Sequence, residues 1–165
     1  MQEPLFRHEQ QGISSNDYYT PAWIFEKMGL QFDLDVASPP GGISWIPAKR
    51  YFTQFDDGLS QEWRGRVWMN PPFSNTIPWV EKFIKHSNGV MLAPITTSKH
   101  VSLLANSADA LVILPPQFNF VRLGKEKRIG YPVALFAFGI DNVQAIAKVG
   151  RLYKASDTPP SQETR

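Results

Sequence analysis

Two adjacent prolines, Pro71 and Pro72, constrain this chain more than any other feature. They follow Val67-Trp68-Met69, an apolar run that reads as a buried strand, and each proline ring removes a ladder donor and fixes φ. The strand therefore stops at Asn70. A polar side chain is left at its carboxyl end, ahead of a stiff turn that presents Phe73. Asn and Pro are ordinary turn residues, so the four-residue stretch alone is a turn. Its place at a strand end, with an aromatic after it and an acidic strand end before it, makes it a candidate site.

The flanking sequence alternates strand and helix patterns. Residues 20–29 read as a helix with Thr20 as N-cap, Pro21 at the first helical position and Gly29 as the stop. Residues 31–38 alternate as a strand, with Phe32, Leu34 and Val36 on one face and Asp33 and Asp35 on the other, at the strand end. Residues 39–63 hold several Gly and Pro without a sustained period and read mostly as loop. A helix follows over 76–89, with Trp79, Val80, Phe83 and Ile84 on one face and Asn88 and Gly89 closing it. Then come a buried strand (90–94), a short helix (98–108), an apolar strand (108–116), a charged loop (117–132) and a last apolar strand (133–139). Residues 140–154 begin as a helix and have no clear period after Gly150.

This order predicts an α/β layer with a largely parallel sheet, the last two strands pairing as an antiparallel end because no helix separates them. One domain is expected over 17–154, with mobile ends at 1–16 and 155–165. The N-terminus carries no apolar core of a signal peptide, and no run is long enough to span a bilayer. Lys plus Arg number 17 against 15 Asp plus Glu, a net charge of +2, so local patches rather than total charge must identify a nucleic-acid partner. The absence of cysteine excludes thiol nucleophiles, disulfides and Cys-ligated metals. His8, His86 and His100 are too widely spaced for a metal site, and none is expected.

The segments Asp17-Tyr18-Tyr19-Thr20-Pro21, residues 32–38, residues 50–63, Val67 to Phe73 and residues 131–138 occur in the order, and over most of the length, of a known family. In these motifs the chain resembles the phage and prophage Dam-type DNA N6-adenine methyltransferases. The resemblance implies a Rossmann-like methyltransferase fold: a mostly parallel sheet with an antiparallel terminal strand and helices on both faces. It also implies methyl transfer from S-adenosylmethionine to adenine N6 in double-stranded DNA, leaving S-adenosylhomocysteine, in a cytoplasm that is the bacterial host's if the gene is a phage's.

Asn70, Pro71, Pro72 and Phe73 would then be catalytic. The Asn70 side-chain oxygen and the Pro71 carbonyl can accept both protons of an exocyclic amine, and Phe73 can stack on an extruded base. By the same resemblance Tyr19, Thr20, Pro21, Asp35, Ala37, Ser38, Phe55 and Asp57 hold the cofactor, Asp56 being the alternative to Asp57; the chain lacks the Gly-x-Gly turn of most such enzymes. Arg122, Lys125, Lys127 and Arg128, beside Phe118, Asn119 and Phe120, are the candidate DNA-binding set. Cytosine N4 offers the same kind of amine and is the nearest rival; C5 methylation needs a cysteine. Glutamine methylation of proteins shares the Asn-Pro-Pro-aromatic motif alone. A Mg²⁺ nuclease built on Asp33, Asp35, Asp56 and Asp57, or a silent DNA-binding module, are the alternatives of other classes.

Overall fold

The computed structural model describes residues 17–154; the expectations for 1–16 and 155–165, and for His8, lie outside the described residues. Seven strands form one sheet: β1 (Phe32–Asp35), β2 (Ala48–Tyr51), β3 (Val67–Met69), β4 (Gly89–Pro94), β5 (Ala110–Ile113), β8 (Val133–Phe138) and β9 (Leu152–Lys154). Their order is β2-β1-β3-β4-β8-β5-β9. Pairings from β2 to β4 are parallel, whereas β8 is antiparallel to both β4 and β5, and β9 is antiparallel to β5.

The last two expected strands, β5 and β8, do pair antiparallel, but they do not end the sheet: β8 lies inside it. Its six residues are apolar and all buried, so it needs a neighbour on each edge and a helix layer on each face. The edge falls instead to β9, whose Tyr153 and Lys154 are exposed, a composition suited to an open strand edge. This strand arises from the stretch after Gly150 that has no period in the sequence.

Helices cover both faces. On one, α1 (Ala22–Met28) and α4 (Ile140–Ile146) bring Ile24, Phe25, Met28, Val143 and Ile146 against Trp68, Val90, Leu92 and Leu135. On the other, α2 (Ile77–His86) and α3 (Lys99–Ser107) bring Val80, Phe83 and Leu104 against Leu34, Val67, Met69 and Met91. Each fully buried large side chain contributes about 1.5–3 kcal/mol.

Several boundaries differ from expectation for identifiable reasons. Pro21, at φ −69° and ψ 151°, is extended and serves as the N-cap, so α1 starts one residue late and the Thr20 hydroxyl caps nothing. Strand β1 is shorter than expected. The N–H groups of Asp33 and Leu34 both reach the Arg66 carbonyl, at 2.8 and 3.4 Å. The alternation breaks there, and Phe32 packs with Phe25 and Trp68, in the layer opposite Leu34 and Val36. Helix α2 ends at Ser87, which turns left-handed at φ 54°; Gly89 opens β4, where any Cβ would strike the Val67 carbonyl. The charged loop contains a two-stranded hairpin, β6 (Phe120–Arg122) and β7 (Lys125–Lys127), turning through Leu123 and Gly124 at positive φ.

Candidate active site

The carboxyl ends of β1 and β3 lie side by side. Asp35 pairs in register with Trp68, and the Val36 N–H donates to the Trp68 carbonyl at 3.1 Å, so the two chains stay in step up to Asn70. This is the rim of an α/β sheet at which ligands bind. Asp33 does not join it. Its carboxylate accepts from Lys49 Nζ and the Arg66 N–H, each at 2.8 Å, at the amino end of β3. The four aspartates of the nuclease alternative therefore do not converge.

Asp35 is only 2% exposed. Burial pushes its carboxyl up to about 7, against the pull of the Ala37 N–H, 3.3 Å away, and of the nearby Ser38 hydroxyl. The loop after β2 is bonded onto the same strand end: Phe52 N–H donates to the Asp35 carbonyl and Ser38 N–H to the Phe52 carbonyl, both at 2.8 Å. Farther along, Gly58 packs so closely on the Val36 carbonyl that a Cβ would collide with it. Within this loop the Asp56 carboxylate is engaged by the Thr53 N–H and hydroxyl at 2.7 and 2.8 Å, which hold it below the usual carboxylate range. Asp57 adopts φ 51°, and its carboxylate charge acts on the Lys82 ammonium. Phe55 is 78% exposed.

A third segment, Tyr18 to Thr20, crosses the rim. Tyr19 and Val121 exchange backbone hydrogen bonds at 2.9 and 2.8 Å, which ties the segment to the β6–β7 hairpin. The Tyr18 carbonyl accepts from Asn70 Nδ2 at 2.6 Å, and the Thr20 carbonyl accepts from Trp45 Nε1 at 2.9 Å. The bond to Tyr18 fixes the Asn70 amide: its nitrogen is used, and its oxygen, Oδ1, is left as an acceptor. Asn70 Oδ1 is buried without a hydrogen-bond partner among the described residues, as is Thr20 Oγ1. A buried polar atom left unpaired costs about 1–3 kcal/mol, so these two atoms at one rim fit polar ligand groups.

The turn after Asn70 is braced. The Thr76 hydroxyl lies 3.3 Å from the Pro72 carbonyl and 3.4 Å from that of Phe73. Phe73 belongs to a three-ring cluster: it stacks on Tyr18 with centroids 6.0 Å apart, and Phe120 meets both rings edge-on at 5.9 and 5.6 Å. Arg122 places its guanidinium 5.1 Å over the Tyr18 ring. Arg128 donates to the Pro116 carbonyl at 2.8 Å, while Lys125 and Lys127 are exposed on β7. His86 and His100 contact the backbone carbonyls of Gly65 and Pro94, and the described residues contain no group of acidic or histidine side chains placed to hold a metal.

The structure thus brings Thr20, Asp35, Ala37, Ser38, the Asp57 loop and Asn70 to one rim, and sets the basic hairpin beside it. Sequence reading missed Tyr18, Trp45 and Thr76 as site-shaping residues. Tyr18 lies inside a quoted motif, but its role runs through its backbone carbonyl, which no residue type advertises. An open depression of about 590 Å³, lined by Trp23, Lys27, Pro115, Gln117 and Val149, shares no lining residue with this rim.

A mixed α/β sheet covered by helices on both faces, with buried polar acceptors and an aromatic ring at its strand ends, defines a ligand-binding α/β protein of the kind that acts at the sheet rim. More particularly, the chain belongs to the DNA N-6-adenine-methyltransferase (Dam) family, whose model matches residues 11–130. A protein of Haemophilus phage HP1 (strain HP1c1) described as a DNA N-6-adenine-methyltransferase is 34% identical over 73 residues, covering 41% of this chain and 40% of that protein. The match therefore spans well under half the length of that relative. No solved structure matches the chain.

Proposed function

We propose that this chain transfers a methyl group from S-adenosylmethionine to the N6 amine of adenine in double-stranded DNA. The observation that carries the reading is Asn70: Nδ2 is anchored on the Tyr18 carbonyl, and the buried Oδ1 has no partner among the described residues. An exocyclic amine supplies the donor that this oxygen lacks. Oδ1 and the Pro71 carbonyl accept its two protons, which fixes the nitrogen lone pair in direction and draws charge toward it as the bond forms. Two prolines and the Thr76 brace hold that carbonyl in place, so little ordering remains when the base arrives.

The orphaned Thr20 hydroxyl and the buried Asp35 carboxyl fit S-adenosylmethionine. When bound, it supplies an electrophilic methyl on a sulfonium leaving group. Asp35 holds the ammonium of its amino-acid part, Thr20 and Ser38 donate or accept beside it, and the small Ala37 leaves room for close approach. Asp57, not the turn-bound Asp56, takes the adenine amine, with Phe55 against the ring and Tyr19 and Pro21 framing the entry. Arg122, Lys125, Lys127 and Arg128 carry the DNA backbone. The strand order, with an internal antiparallel strand and a site at the β1 and β3 ends, supports a Rossmann-like methyltransferase fold. Nucleoside mass spectrometry on DNA from cells expressing the chain tests the reaction directly: N6-methyladenine is expected, and N4-methylcytosine or no modified base would overturn it.

A further inference from the structure

Lys82, on α2, closes the turn in the loop between β2 and β3. Its ammonium donates to the Leu59 carbonyl at 2.7 Å and to the Gln61 carbonyl, lies 3.5 Å from the Gly58 carbonyl, and sits 4.9 Å over the Trp63 ring. An ammonium has three donors and no acceptor, so three carbonyls of one turn saturate it. The turn is also bonded from within. The Asp57 carbonyl accepts from the Ser60 N–H and hydroxyl, both at 2.9 Å, and the carbonyls of Asp56 and Gly58 accept from Gln61 Nε2 and Trp63 Nε1, each at 2.8 Å. Together these bonds hold Asp57 at φ 51°, a left-handed conformation that a residue with a side chain keeps only where its surroundings impose it.

From this arrangement we infer that Lys82 is a positioning residue for the cofactor: through the carbonyls of the 58–61 turn it holds Asp57 in place for the nucleoside half of S-adenosylmethionine. The inference rests on the methyltransferase reading. Helix α2 supplies a rigid base for this task. Its N-cap, Thr76, braces the turn after Asn70, and farther along it the Trp79 ring stacks on Trp63, centroids 6.3 Å apart, and packs against Gly58, where a Cβ would lie 3.2 Å away. Burial lowers the Lys82 ammonium below the usual lysine range, and the Asp57 charge opposes that shift. Leu59 and Gln61 are not buried, so water can replace the ammonium on their carbonyls. Removing it therefore loosens the turn and spares the fold.

The test is calorimetric titration of S-adenosylmethionine into the full chain. Lys82→Met keeps an apolar stem over Trp63 and removes the donors; it is expected to weaken binding about 10- to 100-fold, the effect of losing charge-assisted hydrogen bonds from a binding loop. In the background of Asp57→Gly, which removes the carboxylate at a φ that glycine adopts freely, the same substitution is expected to cost about twofold or less, because the turn then has no carboxylate to present. Lys82→Gln keeps a donor without the charge. It is expected to repeat the pattern at smaller amplitude, and it carries the test if Lys82→Met does not fold. Wild-type affinity in the Lys82 variants, or an equal loss with and without the Asp57 carboxylate, would overturn the assignment and leave the methyltransferase reading intact. A wild-type chain that does not bind S-adenosylmethionine would overturn both.

Discussion

Asp35 combines near-complete burial with a hydrogen-bonded carboxyl at a strand end, and its raised pKa gives the residue a pH signature. In the unfolded chain it ionises near 3.8, and in the folded protein at about 7. Between those values the folded state binds the extra proton, so this group's contribution to stability falls as pH rises through the window. A cationic ligand group favours the ionised form. The affinity for S-adenosylmethionine is therefore expected to climb between pH 5.5 and 7, by up to about tenfold per unit, and to level off as Asp35 becomes fully charged. In Asp35→Asn it is expected to be weaker and flat over the same range. Calorimetric titration across that range checks both, and a flat wild-type profile would remove Asp35 from the cofactor's ammonium. The strand-end positions of Asp35 and Asn70 were legible in the sequence because strand termination at proline and apolar alternation are local properties. The separation of Asp33 from Asp35 was not, since it depends on the long-range placement of Lys49 on β2 and of Arg66 at the amino end of β3.

The β6–β7 hairpin is the element whose identity the sequence concealed. Its strands are three residues each, and β7 consists of Lys125, Glu126 and Lys127, all exposed, so no apolar alternation marks it. It forms because Phe120 is anchored in the core beside Phe118, and Val121 extends the pairing to Tyr19. Lys125 and Lys127 are free to meet phosphates without disturbing that anchor. Replacing both with Gln is expected to flatten the slope of log K against log salt by roughly 2, one unit per lost contact, with little effect on cofactor affinity. Binding isotherms at graded salt measure this, and an unaltered slope would assign the hairpin to solvent. Helices α1 and α2 were legible from their apolar spacing, but their ends were not, because Pro21 and Ser87 close them through backbone angles rather than through cap side chains.

Across the whole molecule, β8 links the two ends of the sheet. It pairs with β4 over six residues and with β5 over four, and Leu135 lies at its centre with no exposure. Leu135→Ala is expected to destabilise the fold by about 2–5 kcal/mol in denaturant unfolding; a cost under 1 kcal/mol would contradict an internal β8. The α/β alternation was readable from the sequence, while the insertion of β8 between earlier strands was not, because strand order is decided by long-range pairing that no local pattern records. That order sets Asp35 and Thr20 beside Asn70 and Phe73 as neighbouring but separate groups, the first proposed for the cofactor and the second for the amine. The most direct test of the account is Asn70→Ala, measured by single-turnover methyl transfer alongside S-adenosylmethionine affinity. Affinity is expected to remain at the wild-type value while transfer falls by about 10²–10³-fold, the loss of one preorganised polar group at a site of developing charge. A folded Asn70→Ala variant that transfers methyl at the wild-type rate would contradict it and reduce Asn70-Pro71-Pro72-Phe73 to a turn.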